Sequence, residues 1–350
     1  MLLKEKCVRL LDRVFPEEEW VRKPASELGF SEEKLEGVTK WLKQKAGTTR
    51  HRVVLIRDGY IASEWQRGIS TKKRLGMASA TKTLFSSVLG IAVEEGKLPS
   101  ADAKVIDYYS EMMDVDDGEG PKSGRFAKPE DRDITFRQLI SNMSGYMKPG
   151  ETPGSTFHYQ TYGMNILTHA IAKLYGYYDS DHPNKLPGFG RLIEEKIRDP
   201  ISGRWRYNYF NFKHPRKAKI GVFGYYTNVE ANARDMARMG YLWLNRGTWA
   251  EKQIIPEQWL REATRTAPNI KANCIEEQWR YGYAFWTNEH KKLWPDLPRD
   301  SYAASGAGQK HIWVCPSLSI VVAQSPGIYT SQTDQVNSEL LGLIVDASKV

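Results

Sequence analysis

Between Ser31 and Lys45 the segment SEEKLEGVTKWLKQK sets Leu35, Val38, Trp41 and Leu42 at helical spacing behind a serine. That pattern predicts an amphipathic helix with Ser31 as its cap. The next stretch, RVVLIRDGYIASEWQRG over 52–68, holds two β-rich runs around Asp58-Gly59, a hairpin signal. A different pattern follows, with Leu84, Phe85, Val88, Leu89, Ile91, Ala92 and Val93 apolar on nearly every face, as in a buried helix. Residues 114–133 are polar and rich in Gly and Pro, and read as a surface loop. Its acidic cluster lacks the alternating ligand spacing and closing glutamate of a calcium loop.

From about 134 to 265 the signals are mainly helical. They comprise ITFRQLISNMSGY, with Thr135 and Gln138 as a capping box, then YGMNILTHAIAKLYG, GRLIEEKIRDP and NVEANARDMARMGYLWLNRG. Short aromatic and β-branched runs come next (RYGYAFWTNE, HIWVCP, SIVVAQS), and a helical SELLGLIVDASKV ends the chain. Strands near both ends with helices between them predict an α+β fold. The expected division is a sheet domain of residues 1–100 and 266–350 and a mainly helical domain of 101–265, with any active site between them.

Composition narrows the class. With 350 residues, 41% hydrophobic and 26% charged, the chain suits an ordinary globular protein and not a disordered or fibrous one. A net charge of +8 invites a nucleic-acid reading, but the densest basic runs, KKR at 72–74 and KHPRKAK at 213–219, are short and read as solvated surface. Cys7, Cys274 and Cys315 have no CxxC spacing, so neither a disulfide framework nor a metal site is indicated, and no cofactor is expected. The N-terminus carries charges throughout its first dozen residues, and no stretch reaches the length of a transmembrane helix. A soluble, cytoplasmic protein acting on a small molecule, with no nucleic-acid or membrane partner, is the expectation.

The chain has no GxGxxG after a strand, no Walker-type loop, no HExxH and no GxSxG. It does have S-x-x-K three times: Ser31-Lys34, Ser70-Lys73 and Ser79-Lys82. Ser31 is explained as a cap and Ser70 lies in the polar connection GISTKKR, whereas Ser79 opens the buried helix. Residues three apart on a helix share a face, so the Lys82 amine can reach the Ser79 hydroxyl. Burial lowers a lysine's pKa, and a helix N-terminus favours an oxyanion, so nucleophile and base stand together. The plainer alternative makes Ser79 an N-cap and lets Lys82 snorkel to solvent.

Two further segments carry polar groups that chemistry could use. In PGSTFHYQTYGMNILTHA, Tyr159 sits just before a new apolar helix, where a tyrosine is commonly a packed aromatic. His158 beside it raises a Ser-His-Asp alternative. In YAASGAGQKHIWVCP, small residues from Ala303 to Gly308 precede a strand, which allows close approach of a ligand to the backbone and leaves N–H groups for an oxyanion.

Together these elements resemble the serine β-lactamase and penicillin-binding-protein superfamily. The closest likeness is to its class C branch, which includes family VIII carboxylesterases and 6-aminohexanoate-dimer hydrolases. The matching segments run in order from about residue 20 to 345: VVLIRDGYIASEW, SATK with its helix ending EEGKL, ITFRQLISNMSGY, PGSTFHY, NARDMARMGYLWLNRG, YGYAFW and SGAGQKHIWVCP. The resemblance implies a β-lactamase/transpeptidase-like fold, an antiparallel sheet flanked by helices with a mainly helical region inserted. It implies Ser79 as the acylated nucleophile, Lys82 as its partner, and Tyr159 as the tyrosine of Y-x-N, its phenol pKa lowered by the nearby ammonium. Ala304-Ser305-Gly306 would stand in place of Lys-Thr-Gly, with the Ser79 and Ala307 amides as the oxyanion hole.

Two departures narrow the substrate. The motif asparagine is Thr161 and the motif lysine is Ala304. A carboxylate without that cation loses a charge-assisted contact of roughly 1.5–3 kcal/mol. The expectation is therefore a serine hydrolase of small esters or amides and not an efficient β-lactamase. A D-amino-acid peptidase or weak β-lactamase is the alternative within enzymes, and a non-catalytic ligand-binding protein on the same fold is the alternative outside them.

Overall fold

At Asp58-Gly59 the chain turns back on itself: Asp58 takes φ 51° and Gly59 φ 90°, and His51–Arg57 pairs antiparallel with Tyr60–Arg67. The computed structural model describes residues 13–328 and 334–348, so the N-terminal dozen, with Cys7, lies outside the described residues. The hairpin forms one edge of a six-stranded sheet that both ends of the chain build. Its order is Tyr60–Arg67, His51–Arg57, Ile320–Gln324, Lys310–Cys315, Tyr302–Gly306 and Trp286–Thr287, each neighbour antiparallel. This is the antiparallel sheet that the resemblance implied.

Both faces of the sheet are covered, which is why its central strands read as nearly unbroken apolar runs. Val53, Leu55, Trp313 and Val322 pack with Leu35, Val38 and Leu42 of the Glu32–Ala46 helix and with Leu340, Leu341 and Ile344 of the Asp334–Ala347 helix. Ser31 caps the first of these, its side chain accepting from Lys34 N–H, as the pattern predicted. Val54, Ile56, Ile312, Val314, Val321 and Ala323 face the other way, toward the larger core. There the Ala233–Leu244 helix lies directly on the strands: a methyl group on Gly240 would come within 2.5 Å of Val321 and 2.6 Å of Ile312.

That contact revises two expectations. The segment from 228 to 247 is not one helix but the strand Tyr226–Ala231 followed by the helix Ala233–Leu244, with Asn232 between them as an N-cap. The helix falls within 101–265, yet it packs on the main sheet. Tyr226–Ala231 is the centre of a second, three-stranded sheet with Leu75–Gly76 and Arg206–Phe210. The Thr135/Gln138 capping box forms as predicted, and Tyr162–Leu174 is a helix.

The 114–133 stretch is not wholly a surface loop. Asp131 is buried, and its Oδ2 accepts from the N–H groups of Lys128 (2.9 Å) and Met147 (3.2 Å). Burial pushes its pKa up to about 6. Among the described residues no helix is long and apolar enough to cross a membrane.

Candidate active site

Leu75–Gly76 delivers the chain to Met77, whose N–H donates to Val229 O at 2.7 Å. Ala78 is then forced into the left-handed region at φ 49°, and its N–H donates to Asn228 Oδ1 at 3.1 Å. An alanine held there costs roughly 1–2 kcal/mol, which the surrounding bonds must offset. Asn228 is itself oriented by Asn208, whose Oδ1 accepts from Asn228 Nδ2 at 3.1 Å. The second sheet thereby fixes the turn that carries Ser79.

Ser79 does not lie on the α-helix itself. It sits in a 3₁₀ turn, Ala78–Thr81, which passes into the α-helix Lys82–Glu94. With three residues per turn, positions i and i+3 eclipse, so the Lys82 side chain lies directly over Ser79. Lys82 Nζ donates to Ser79 Oγ at 2.8 Å. The lysine is 4% exposed, and desolvation pushes its pKa down to about 8. Among the described residues no carboxylate pairs with it, so the snorkelling alternative does not describe this side chain.

The other two S-x-x-K pairs are local structure. Ser31 caps its helix, and Ser70 Oγ accepts from Lys72 N–H in an exposed loop.

Tyr159 completes the cluster. Its hydroxyl faces the Ser79 side chain, and its ring lies under the Lys82 ammonium, 5.0 Å from centroid to Nζ. Tyr281 meets the ring edge-on at 5.9 Å, and Trp286 stacks on it at 5.7 Å and 26°. These aromatic walls reverse one expectation: burial raises the Tyr159 pKa, and the contact with Ser79 only partly opposes it. The ammonium addresses the ring face, so the phenol is not lowered.

Asn142 positions this tyrosine. Its backbone oxygen accepts from His158 N–H at 2.9 Å and its Oδ1 from Gln160 N–H at 3.0 Å. Its Nδ2 donates to the Tyr281 hydroxyl at 3.1 Å. Asn142 has φ 58°, a conformation asparagine tolerates better than most residues. His158 does not join the site: its Nδ1 contacts Lys148 and lies 3.1 Å from Glu151. The Ser-His-Asp arrangement therefore is not assembled.

The strand Tyr302–Gly306 closes the other side. A Cβ at Gly306 would lie 2.0 Å from Met77 O and 2.8 Å from Ala80 N, so the strand backbone runs hard against the Ser79 turn. Only glycine allows that approach. Ser305, one residue back, lines a cavity with His311, its register partner. Ala307 follows the strand, exposed, in a tight turn where Gly308 and Gln309 take positive φ. Ala304 is fully buried, and Thr161 precedes the Tyr162–Leu174 helix without a side-chain cap bond.

Sequence reasoning missed Asn142, Asn228, Tyr281 and Trp286. All four lie in the quoted segments, but their contacts span the chain.

Comparisons with known proteins bear on the fold. A 16%-identical structure of a family VIII carboxylesterase superposes with a TM-score of 0.66, covering 94% of this chain and 99% of that one. A candidate 6-aminohexanoate-dimer hydrolase from Bacillus anthracis, also 16% identical, superposes with a TM-score of 0.63 over 96% of this chain and 89% of that one. Beta-lactamase-like protein 1 of Dictyostelium discoideum is 31% identical over 143 residues, 37% of this chain and 22% of that protein. The family model described as Beta-lactamase matches residues 42–329, a span that takes in the Ser79 turn, Tyr159 and the Gly306 strand alike. The chain therefore belongs to the β-lactamase family, with that family's antiparallel sheet and flanking helices.

Proposed function

We propose that this protein is a serine hydrolase that cleaves small esters or amides through an acyl-enzyme on Ser79. The observation that carries this reading is the shared hydroxyl: Ser79 Oγ meets both the Lys82 amine, at 2.8 Å, and the Tyr159 phenol. In its neutral form Lys82 takes the Ser79 proton as Oγ attacks the substrate carbonyl. The Ser79 and Ala307 amides receive the developing oxyanion. Tyr159, held protonated by burial, gives its proton to the departing alcohol or amine and is re-protonated from Lys82. Water then attacks the acyl-enzyme by the reverse relay, releasing the acid and restoring Ser79.

Thr161 and Ala304 remove an amide and a cation that β-lactams would use, which favours simple esters and amides. The likeness to a family VIII carboxylesterase supports that choice. A fluorophosphonate probe read by intact mass tests the reaction: one adduct is expected on the wild-type chain and none on Ser79→Ala. No adduct, or one that survives the substitution, overturns the reading. Turnover of p-nitrophenyl butyrate, a linear amide oligomer and nitrocefin tests the substrate class, and nitrocefin turnover far above the others would refute it.

A further inference from the structure

At the far end of the Tyr302–Gly306 strand from the Ser79 turn lies an open groove of about 600 Å³. Tyr302, the first residue of the strand, lines it, with Trp243 near the end of the Ala233–Leu244 helix and four arginines, Arg246, Arg261, Arg265 and Arg299. Tyr302 and Gly306 are separated by about 13 Å of extended strand. The groove is therefore a place apart from Ser79, and what binds there does not depend on the serine-hydrolase reading.

Three carboxylates also line the groove, and each is already occupied. Glu257 Oε1 accepts from both Arg246 Nη1, at 2.9 Å, and Arg261 Nη2, at 2.7 Å. Glu289 Oε2 accepts from Thr266 N–H at 3.0 Å and pairs with Lys271 at 3.2 Å. Asp300 accepts from the N–H and the hydroxyl of Ser317, at 2.6 and 2.9 Å. Among the described residues the Arg265 and Arg299 side chains are left with no hydrogen bond or ion pair. Two further donors in the lining are unpaired as well: Trp243 Nε1 and the Tyr302 hydroxyl, on residues only 2% and 4% exposed, have no partner among the described residues. A buried N–H or O–H is costly unless an acceptor meets it. Four guanidiniums, an indole N–H and a phenol offer more donors than the two oxygens of a carboxylate accept. They suit phosphoryl groups, each with three acceptor oxygens and close to two negative charges. Leu244, Leu260 and Pro316 add an apolar surface for the body that carries the phosphates.

We propose that this groove binds a phosphorylated small molecule, with Arg265 and Arg299 as its principal contacts and Trp243 and Tyr302 donating from the wall. Its volume is that of a pocket for a ligand of nucleotide size. Glu257 holds Arg246 and Arg261 on one oxygen, so half of the guanidinium set is ordered before a ligand arrives, which lowers the entropic cost of binding.

Calorimetry with inorganic pyrophosphate and with ADP, at one fixed low ionic strength, tests the site. Wild type is expected to bind one equivalent of each. Tighter binding of ADP assigns a nucleotide, and equal or weaker binding assigns the phosphates alone; either supports the proposal. Arg265→Gln/Arg299→Gln is expected to weaken pyrophosphate binding by roughly 10- to 100-fold, and Tyr302→Phe by severalfold. Both arginines are exposed and unpaired and the Tyr302 hydroxyl has no partner, so these variants are expected to keep the wild-type urea midpoint. Lys72→Gln/Arg74→Gln removes the same charge from a different cavity, and Ser79→Ala removes the proposed nucleophile; both are expected to bind pyrophosphate as wild type does. The proposal is overturned by absence of binding in wild type, by binding unmoved in Arg265→Gln/Arg299→Gln or in Tyr302→Phe, or by citrate bound as tightly as pyrophosphate. An equal loss in Lys72→Gln/Arg74→Gln or in Ser79→Ala overturns it too, since the anion would then follow overall charge or sit at Ser79.

Discussion

Asn142 grips Tyr159 from both sides, accepting from the backbone N–H groups of His158 and Gln160 while its own amide donates to the Tyr281 hydroxyl. Asn142→Ala removes the Oδ1 acceptor, leaves a buried Tyr281 hydroxyl unpaired and places alanine at positive φ. The expected cost is about 2–4 kcal/mol of stability, read from urea midpoints. In the surviving folded protein kcat should fall more than KM rises, because the tyrosine is misplaced and the binding surface is not. A variant with wild-type kcat would show that Tyr159 needs no such support.

Gly306→Ala would place a methyl group 2.0 Å from Met77 O. The strand and the Ser79 turn must then separate. Fluorophosphonate labelling of Ser79 is expected to slow by roughly 100-fold or more, since a displacement of about 1 Å is enough to cost that much. Labelling at the wild-type rate would mean that the turn can shift without consequence for Ser79.

Lys82 links activity to pH. Its folded pKa of about 8 is below the ordinary 10.5, and its neutral form is the base of the proposed relay, so the labelling rate should rise through pH 8 and level off above it. Stability carries the matching sign. Between pH 8 and 10.5 the unfolded chain binds the proton that the folded chain has released, so stability rises with pH in that window. Lys82→Met should therefore be more stable than wild type at pH 7 by roughly 3 kcal/mol, with the gap closing toward pH 10.5. Parallel stability profiles for the two proteins would contradict the buried, depressed lysine.

Asp131 behaves oppositely. Its pKa is raised by burial from 3.8 to about 6, so its favourable contribution is complete below pH 3.8 and is lost as pH rises through 6. Relative to Asp131→Asn, wild type should lose up to roughly 3 kcal/mol between pH 4 and pH 7, measured by urea unfolding at both values. An unchanged difference between the two proteins would show that the carboxyl ionises as freely folded as unfolded.

The hairpin at Asp58-Gly59, the Ser31 cap and the buried helix after Lys82 were legible because each is written in neighbouring residues. The S-x-x-K pattern alone did not distinguish Ser79 from Ser31 or Ser70; the apolar helix behind it did. What local pattern could not give was anything set by distant contacts. Asn228–Ala231 reads as the start of a helix until Leu75–Gly76 and Arg206–Phe210 pair with the strand that holds it. The resemblance sets Lys82 beside Tyr159 and so implies a lowered Tyr159 pKa. It rises because the aromatic cage of Tyr281 and Trp286 excludes water, and the ammonium lies over the ring.

The Met77–Ala80 turn is wedged between two sheets, bonded to Val229 on one side and abutted by Gly306 on the other. These partners arrive from far along the chain, and loop closure over such separations is slow relative to local helix formation. Assembly of the Ser79 site must then be a late event in folding: the Lys82 helix can form early, but the Ser79 turn acquires its geometry only when both sheets have closed on it. Conversely, hydrolysis should disappear in the same cooperative transition as the fold, and so report on the integrity of the whole molecule.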